Sequence, residues 1–351
     1  MPNNANSINA ANDITAANNA NAVTAADTVT VEMVLDAYEK NRPHVKRTPL
    51  LRSELLEELF GGAEIYLKAE NLQYTGSFKV RGVTNKMLSL SKDELARGVA
   101  AASSGNHAQA VAYMASKLGA SAVIVMPTNA PVSKIEGTKK YGAKIVLHGL
   151  TGEEREIKCD ELVREYGYSL VHPFADTLLI AGHGTLAVEA AEQIREIAGK
   201  DFDEIVIPCG AGSIVSGIGV AAKRYMSGTV VTAVEPSAVP RFTVSFKENR
   251  PVTVEMGNTI ADGLRVGRAE PINYSLIREY ADNLLTVDDT SIRRATREII
   301  TRGKIVAEPS AAVGIAAALD GKIDTSAGRR ICFVISGGNM DAATLADILN
   351  G

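Results

Sequence analysis

Glu204-Ile205-Val206-Ile207-Pro208-Cys209-Gly210-Ala211-Gly212-Ser213 decides the fold class. An apolar run without polar alternation reads as a strand buried on both faces, and the small-residue turn that ends it opens onto Ile214–Tyr225, which reads as a helix. Strand, tight turn and helix make the repeating unit of a parallel sheet covered on both sides. Backbone N–H groups of Gly210–Ser213 can close around an anion at the helix N-terminus. A dinucleotide fingerprint needs Gly-x-Gly-x-x-Gly near the first strand, with an acidic residue about 20 positions on. Residues 212–217 do not supply that spacing, and the loop comes late in the chain.

The same pattern extends in both directions. Ala63–Ala69, Val99–Ala102, Ala122–Met126, Lys144–Leu147, Ser169–His172, Val230–Val234 and Arg330–Ile335 read as further buried strands, separated by amphipathic or apolar helices. An α/β chain of mostly parallel sheets flanked by helices follows, with ligands expected at the carboxyl ends of strands. With 351 residues and 46% hydrophobic content, the chain can bury the cores of two domains. Residues 1–28 are mostly Ala and Asn and contain no Lys or Arg, so a disordered tail is expected rather than a signal or presequence.

Composition excludes several functions. The 37 basic residues against 41 acidic ones leave no positive stripe for nucleic acid, and no apolar run is long enough to span a membrane. Cys159, Cys209 and Cys332 are far apart and lack metal-ligand spacing, which points to a reducing compartment, and the cytoplasm is the expected location.

Three more turns carry chemistry. Glu70–Gly82 crowds turn-forming, hydroxyl and aromatic residues around Lys79, an amine placed at a helix start as a Schiff-base lysine would be, although a solvated surface lysine has the same local signature. Ser103-Ser104-Gly105-Asn106-His107 opens a helix to Leu118 and can hold a carboxylate, while plain helix capping is the commoner use of Ser and Asn. Ser336 ends the strand Cys332–Ile335, where its hydroxyl can meet a ring nitrogen or cap the next helix.

Taken together and in this order, Ser77-Phe78-Lys79, Ser103–His107, Gly210–Ser213 and Ser336-Gly337-Gly338-Asn339 resemble the fold-type II pyridoxal-phosphate enzymes, specifically their threonine/serine dehydratase and serine racemase branch. Ile180–Thr185, Thr259–Gly263 and Glu308-Pro309-Ser310 add to the resemblance. It implies a two-domain, tryptophan synthase β-like fold, with 29–92 and 174–351 forming the large cofactor domain and 93–173 a small substrate-side domain. Pyridoxal 5'-phosphate is the implied cofactor. By the same resemblance Lys79 is the Schiff-base lysine, Phe78 packs on the cofactor ring, Asn106 binds its 3'-oxygen, Gly210, Ala211, Gly212 and Ser213 hold its phosphate, and Ser336 meets its nitrogen. Ser103, Ser104, Gly105, Asn106, His107 and Arg155 would bind substrate, with Ser104 the second acid/base if the protein racemizes.

The implied activity is β-elimination of an L-β-hydroxy amino acid, threonine or serine by default, to a 2-oxo acid and ammonia. A neutral hydroxyl opposite the ring nitrogen favours that outcome over transamination. Other readings are a serine racemase with dehydratase activity, a dehydratase for a bulkier or acidic substrate such as phenylserine or hydroxyaspartate, and a non-catalytic amino-acid-binding protein. A homodimer or homotetramer is expected, with a small amino acid the only partner besides a second copy.

The chain departs from the family pattern at five positions. Ala211 and Ser213 replace two glycines of the phosphate loop, His183 stands where glutamine is common, and Ala110 stands where glycine is frequent. Glu235–Arg241 resembles the divalent-metal loop of serine racemases, but Arg241 occupies the second carboxylate position, so that metal site is expected to be weakened or absent. By the resemblance Glu308 would lie near the substrate side of the cofactor, although an acidic residue after a strand is usually only solvated.

Overall fold

The structure is a computed structural model that describes residues 28–350, so the Ala/Asn-rich segment lies, except for Thr28, outside the described residues. Among the described residues ten strands form two sheets. They are β1 (Leu50–Arg52), β2 (Glu64–Ala69), β3 (Val99–Ala102), β4 (Ala122–Met126), β5 (Lys144–Leu147), β6 (Ser169–Leu170), β7 (Glu204–Pro208), β8 (Val230–Pro236), β9 (Asn283–Val287) and β10 (Arg330–Ile335). The larger sheet runs β1-β2-β10-β7-β8-β9, parallel except for the antiparallel edge β1, and the smaller runs β5-β4-β3-β6, parallel throughout.

Successive side chains of a strand point to opposite faces, so each central strand feeds two cores. In β10, Cys332 and Val334 join the core under the helices Val31–Asn41, Thr177–Ala198 and Ser213–Tyr225, whereas Ile331, Phe333 and Ile335 join the core under Asp289–Thr301 and Val313–Leu319. The smaller sheet is likewise covered by Asn106–Leu118 on one face and Gly152–Tyr166 on the other. The unalternating strands of the sequence are unalternating for this reason.

Three elements differ from expectation. β1 is only three residues long, and β9 is a half-exposed edge strand without a continuous apolar run, so neither carries a buried-strand signal. The strand expected over 169–172 stops at Leu170, and Pro173, which has no N–H, closes off further pairing. Helix Lys79–Leu88 uses Val80, Val83 and Met87 to complete the smaller sheet's core, although the strand that precedes it, β2, belongs to the larger sheet. It therefore packs with the smaller sheet although it lies within 29–92. Cys159, Cys209 and Cys332 are free and buried.

Candidate active site

β2, β10, β7 and β8 are neighbours and all parallel, so their carboxyl ends share one edge of the larger sheet. That edge carries, side by side, the turn leading to Lys79, Ser336, the Cys209–Ser213 loop and Glu235.

The Lys79 turn is fixed from two directions. Phe78 N donates to Ser336 O at 3.0 Å, Gly338 N to Gly76 O at 3.0 Å, and Asn339 Nδ2 to Thr75 O at 2.7 Å, holding Thr75 at a left-handed φ of 62°. On the other side Arg81, fully buried, forms a two-pronged pair with Glu70 at 2.8 Å for both contacts and reaches Glu189 at 2.8 Å, which also takes Lys68 Nζ at 2.5 Å. Two cations and two carboxylates thus satisfy one another in the interior, where an unpaired charge would be strongly destabilising. Lys79, two residues before Arg81, is held by this network through the backbone. Its Nζ donates to Pro173 O at 2.8 Å and lies 5.1 Å from the Phe78 ring centroid. Burial brings its ammonium down to about 8, so much of the amine is free at mildly alkaline pH.

Ser336 follows Ile335, and carrying the β10 alternation one residue further puts it on the Cys332 and Val334 face, where Phe78 also packs. Beyond it, Gly337 has no room for a side chain, because an added Cβ would lie 2.8 Å from Glu308 Oε1 and 3.2 Å from Asn106 Nδ2. Glu308 is buried, contrary to the solvated reading. It accepts from Asn106 Nδ2 at 2.9 Å and Asn339 N at 3.1 Å, and burial, then Asp262, pushes its carboxyl up to about 7. Its burial was not legible in the sequence because its partners are about 200 residues away in one case and 31 in the other. The available signal was the setting Ala307-Glu308-Pro309, a carboxylate inside an apolar stretch.

The loop after β7 is a cradle of amides. Gly212, at φ 93°, is the N-cap of helix Ser213–Tyr225, and an added Cβ would lie 2.7 Å from the Phe242 ring. Only glycine fits both the angle and the space. No acceptor among the described residues takes a hydrogen bond from the amides of Gly210, Ala211 or Gly212. Gly210, Gly212 and Ser213 are nevertheless buried, and buried amides at a helix N-terminus call for an anionic partner.

The second wall comes from the smaller sheet. Ser103 Oγ accepts from Gly105 N at 3.3 Å, Gly105 takes the N-cap position, and an added Cβ there would meet no atom within 4 Å. Ser103, Ser104, Gly105 and Asn106 are all half-buried and line open space, and neither Ser nor Asn spends its side chain on capping this helix. Asn106 accepts from Asn339 Nδ2 at 2.8 Å besides donating to Glu308, which ties this wall to the β10 loop. His107 turns inward. Its Nε2 sits 2.9 Å from Val171 O, and burial lowers it to about 3, so a neutral imidazole is committed to structure and only its backbone faces the loop. Arg155 lies on the helix that packs against β3, half-buried, with Nε buried and unpartnered and its guanidinium shifted down by burial. His183 is buried edge-to-face on Phe78 at 4.7 Å with both nitrogens unpartnered, and burial and the Lys79 charge keep it neutral.

A lysine with a lowered pKa, on the strand edge that also carries a strand-end hydroxyl and a loop of free amides, fits a phosphorylated carbonyl compound. The scaffold and this edge define an α/β enzyme working through such a cofactor. The chain belongs to the pyridoxal-phosphate dependent enzymes, whose family model matches residues 42–337, and its cofactor is pyridoxal 5'-phosphate. It is 40% identical over 321 residues to an L-threonine ammonia-lyase of Thermotoga maritima, covering 92% of this chain and 78% of that one. It is 37% identical to an L-threo-3-hydroxyaspartate ammonia-lyase of Saccharomyces cerevisiae, covering 91% and 95%. The solved structure of maize serine racemase superposes with a TM-score of 0.85 at 34% identity, covering 92% and 97%. Among the described residues no helix is long and apolar enough to cross a membrane.

Proposed function

We propose that the protein is an ammonia-lyase that converts an L-β-hydroxy amino acid of the threonine/serine class into a 2-oxo acid and ammonia. The observation that carries this is the 3.0 Å bond from Phe78 N to Ser336 O, which puts Lys79 and a neutral strand-end hydroxyl on one wall. Pyridoxal phosphate, when bound, supplies an electrophilic carbonyl and a ring that accepts the electron pair of the broken Cα–H bond. Lys79 would hold the carbonyl, and its amine, when free, would take the Cα proton as general base, a role its lowered pKa suits. Ser336 would offer the ring nitrogen a hydrogen-bond partner without a charge, an environment that would favour loss of the β-hydroxyl over transamination. Gly210, Ala211, Gly212 and Ser213 would hold the phosphate, Phe78 would pack on the ring, and Asn106, held by Glu308, would bind the 3'-oxygen. Ser103, Ser104 and Gly105, with the His107 backbone and Arg155, receive the substrate carboxylate from the smaller sheet's side. We assign 93–173 to that substrate-side domain and 29–92 with 174–351 to the cofactor domain, and expect a homodimer or homotetramer.

Offering a panel of β-hydroxy amino acids and assaying 2-oxo acid tests the reading. Turnover of threonine or serine is expected. Turnover of hydroxyaspartate alone would move the substrate to the acidic class, and no 2-oxo acid from any member would refute the lyase. Racemization is a second activity favoured by Ser104, whose half-buried position beside the open Gly105 suits a second acid/base.

A further inference from the structure

Behind the amide cradle lies a cation that belongs to the chain. Arg241, the first residue of helix Arg241–Lys247, is fully buried. Its Nη1 donates to Gly210 O, and its Nη2 donates to Leu264 O at 3.1 Å and Cys209 O at 3.4 Å. Glu235, at the end of β8, is 3.8 Å from Nη2. That carboxylate is otherwise fully engaged, accepting from Phe242 N, Thr243 N and Thr243 Oγ1, each at 2.9 Å. Three carbonyl oxygens and a carboxylate around one positive centre are the ligands a hard divalent ion would take.

The metal that the Glu235–Arg241 resemblance brings to mind does not fit. A guanidinium fills the centre, and no group of three or more His, Cys, Asp or Glu side chains suited to a metal occurs among the described residues. The geometry points to Arg241 as a resident cation that aims the phosphate loop without any metal. In a trans peptide the C=O and N–H point in opposite directions, and no cis peptide occurs among the described residues. Turning the Cys209 and Gly210 carbonyls onto Arg241 therefore turns the N–H groups of Gly210 and Ala211 away from it, toward the free side of the loop. Phe242, next in sequence, closes the space at Gly212. Arg241 is a positioning residue, since it grips the backbone behind the cradle. A lysine could not replace it, because one ammonium cannot span three carbonyls as the planar fork does.

This inference rests on Gly210–Ser213 holding the cofactor phosphate, so the test begins with uptake of pyridoxal phosphate by the wild-type protein, without which the proposed function itself falls. Dialysis of the cofactor-loaded protein against a strong chelator should leave the cofactor Kd and Tm unchanged, and added Mg2+ or Ca2+ should change neither. Loss of cofactor on chelation, restored by either ion, would overturn the inference and leave the lyase reading standing. Arg241→Ala should raise the cofactor Kd about tenfold or more, as expected for charge-assisted hydrogen bonds, with partial recovery in guanidinium. If that variant does not fold, Arg241→Lys carries the same test, with a Kd again raised by about tenfold and no recovery in Mg2+. Wild-type affinity in either folded variant would refute the role.

Discussion

Two loops of this protein share one local plan and do opposite things with it. Cys209–Ser213 and Ser103–His107 both end a buried parallel strand and open a helix of 13 residues. In the first, Gly212 is hemmed in by Phe242, Ile277 and Asn273, and the carbonyls are gripped from behind by Arg241. In the second, an added Cβ at Gly105 meets nothing, and Ser103 to Asn106 all retain exposure. A rigid, back-filled loop suits an anion that never changes. An open loop suits a ligand that must enter and leave. Between them stands Lys79, anchored to the larger sheet through Arg81 while its helix packs on the smaller sheet.

The largest expected effect lies between the loops. Lys79→Ala should lower kcat by about 10²–10⁴-fold, the range of a lost general base, while the phosphate cradle still binds cofactor. A variant that keeps its activity would remove the lysine from the chemistry. Next comes the rigid loop, where Gly212→Ala meets both the wrong φ and the Phe242 ring and should lose about 1–3 kcal/mol of stability by thermal unfolding. The corresponding Gly105→Ala, at a position with open space, should leave Tm nearly unchanged. Equal losses at the two glycines would break the comparison.

Acid/base predictions are smaller. With the Lys79 amine brought down to about 8, the apo-protein's rate of cofactor capture should rise with pH up to about 8 and then level off. A rate that keeps climbing toward the ordinary lysine value would mean that burial has not shifted it. A lowered base also favours the folded state as pH rises, because between about 8 and its unfolded value the unfolded chain binds the extra proton. Glu308 runs the other way. Raised to about 7, it is protonated below that pH, and stability should fall as pH rises from its unfolded value of about 4.5 through 7. Glu308→Gln should flatten that part of the stability-pH curve. The smallest change is expected at the open loop: Ser104→Ala should keep 2-oxo acid formation within about tenfold and abolish D-serine formation from L-serine.

The sequence was most informative where side-chain type alone sets structure. Unalternating runs such as Glu204–Pro208 announce burial on both faces, and Gly-rich turns at their ends announce ligand loops. It was least informative where partners come from distant segments. Glu308 looks solvated until Asn106 and Gly337 are folded against it, and Arg241 looks like a mere misfit until three backbone carbonyls are seen to face it. His107 shows the converse, since its motif suggests a ligand while its ring is committed to Val171. β1 and β9 were illegible because edge strands need no continuous apolar run.

Borohydride reduction of the cofactor-loaded protein, followed by peptide mass spectrometry, tests the central claim most directly. The account predicts a stable pyridoxyl adduct on Lys79 alone. An adduct on another lysine, or a protein that takes up no cofactor to reduce, would contradict it.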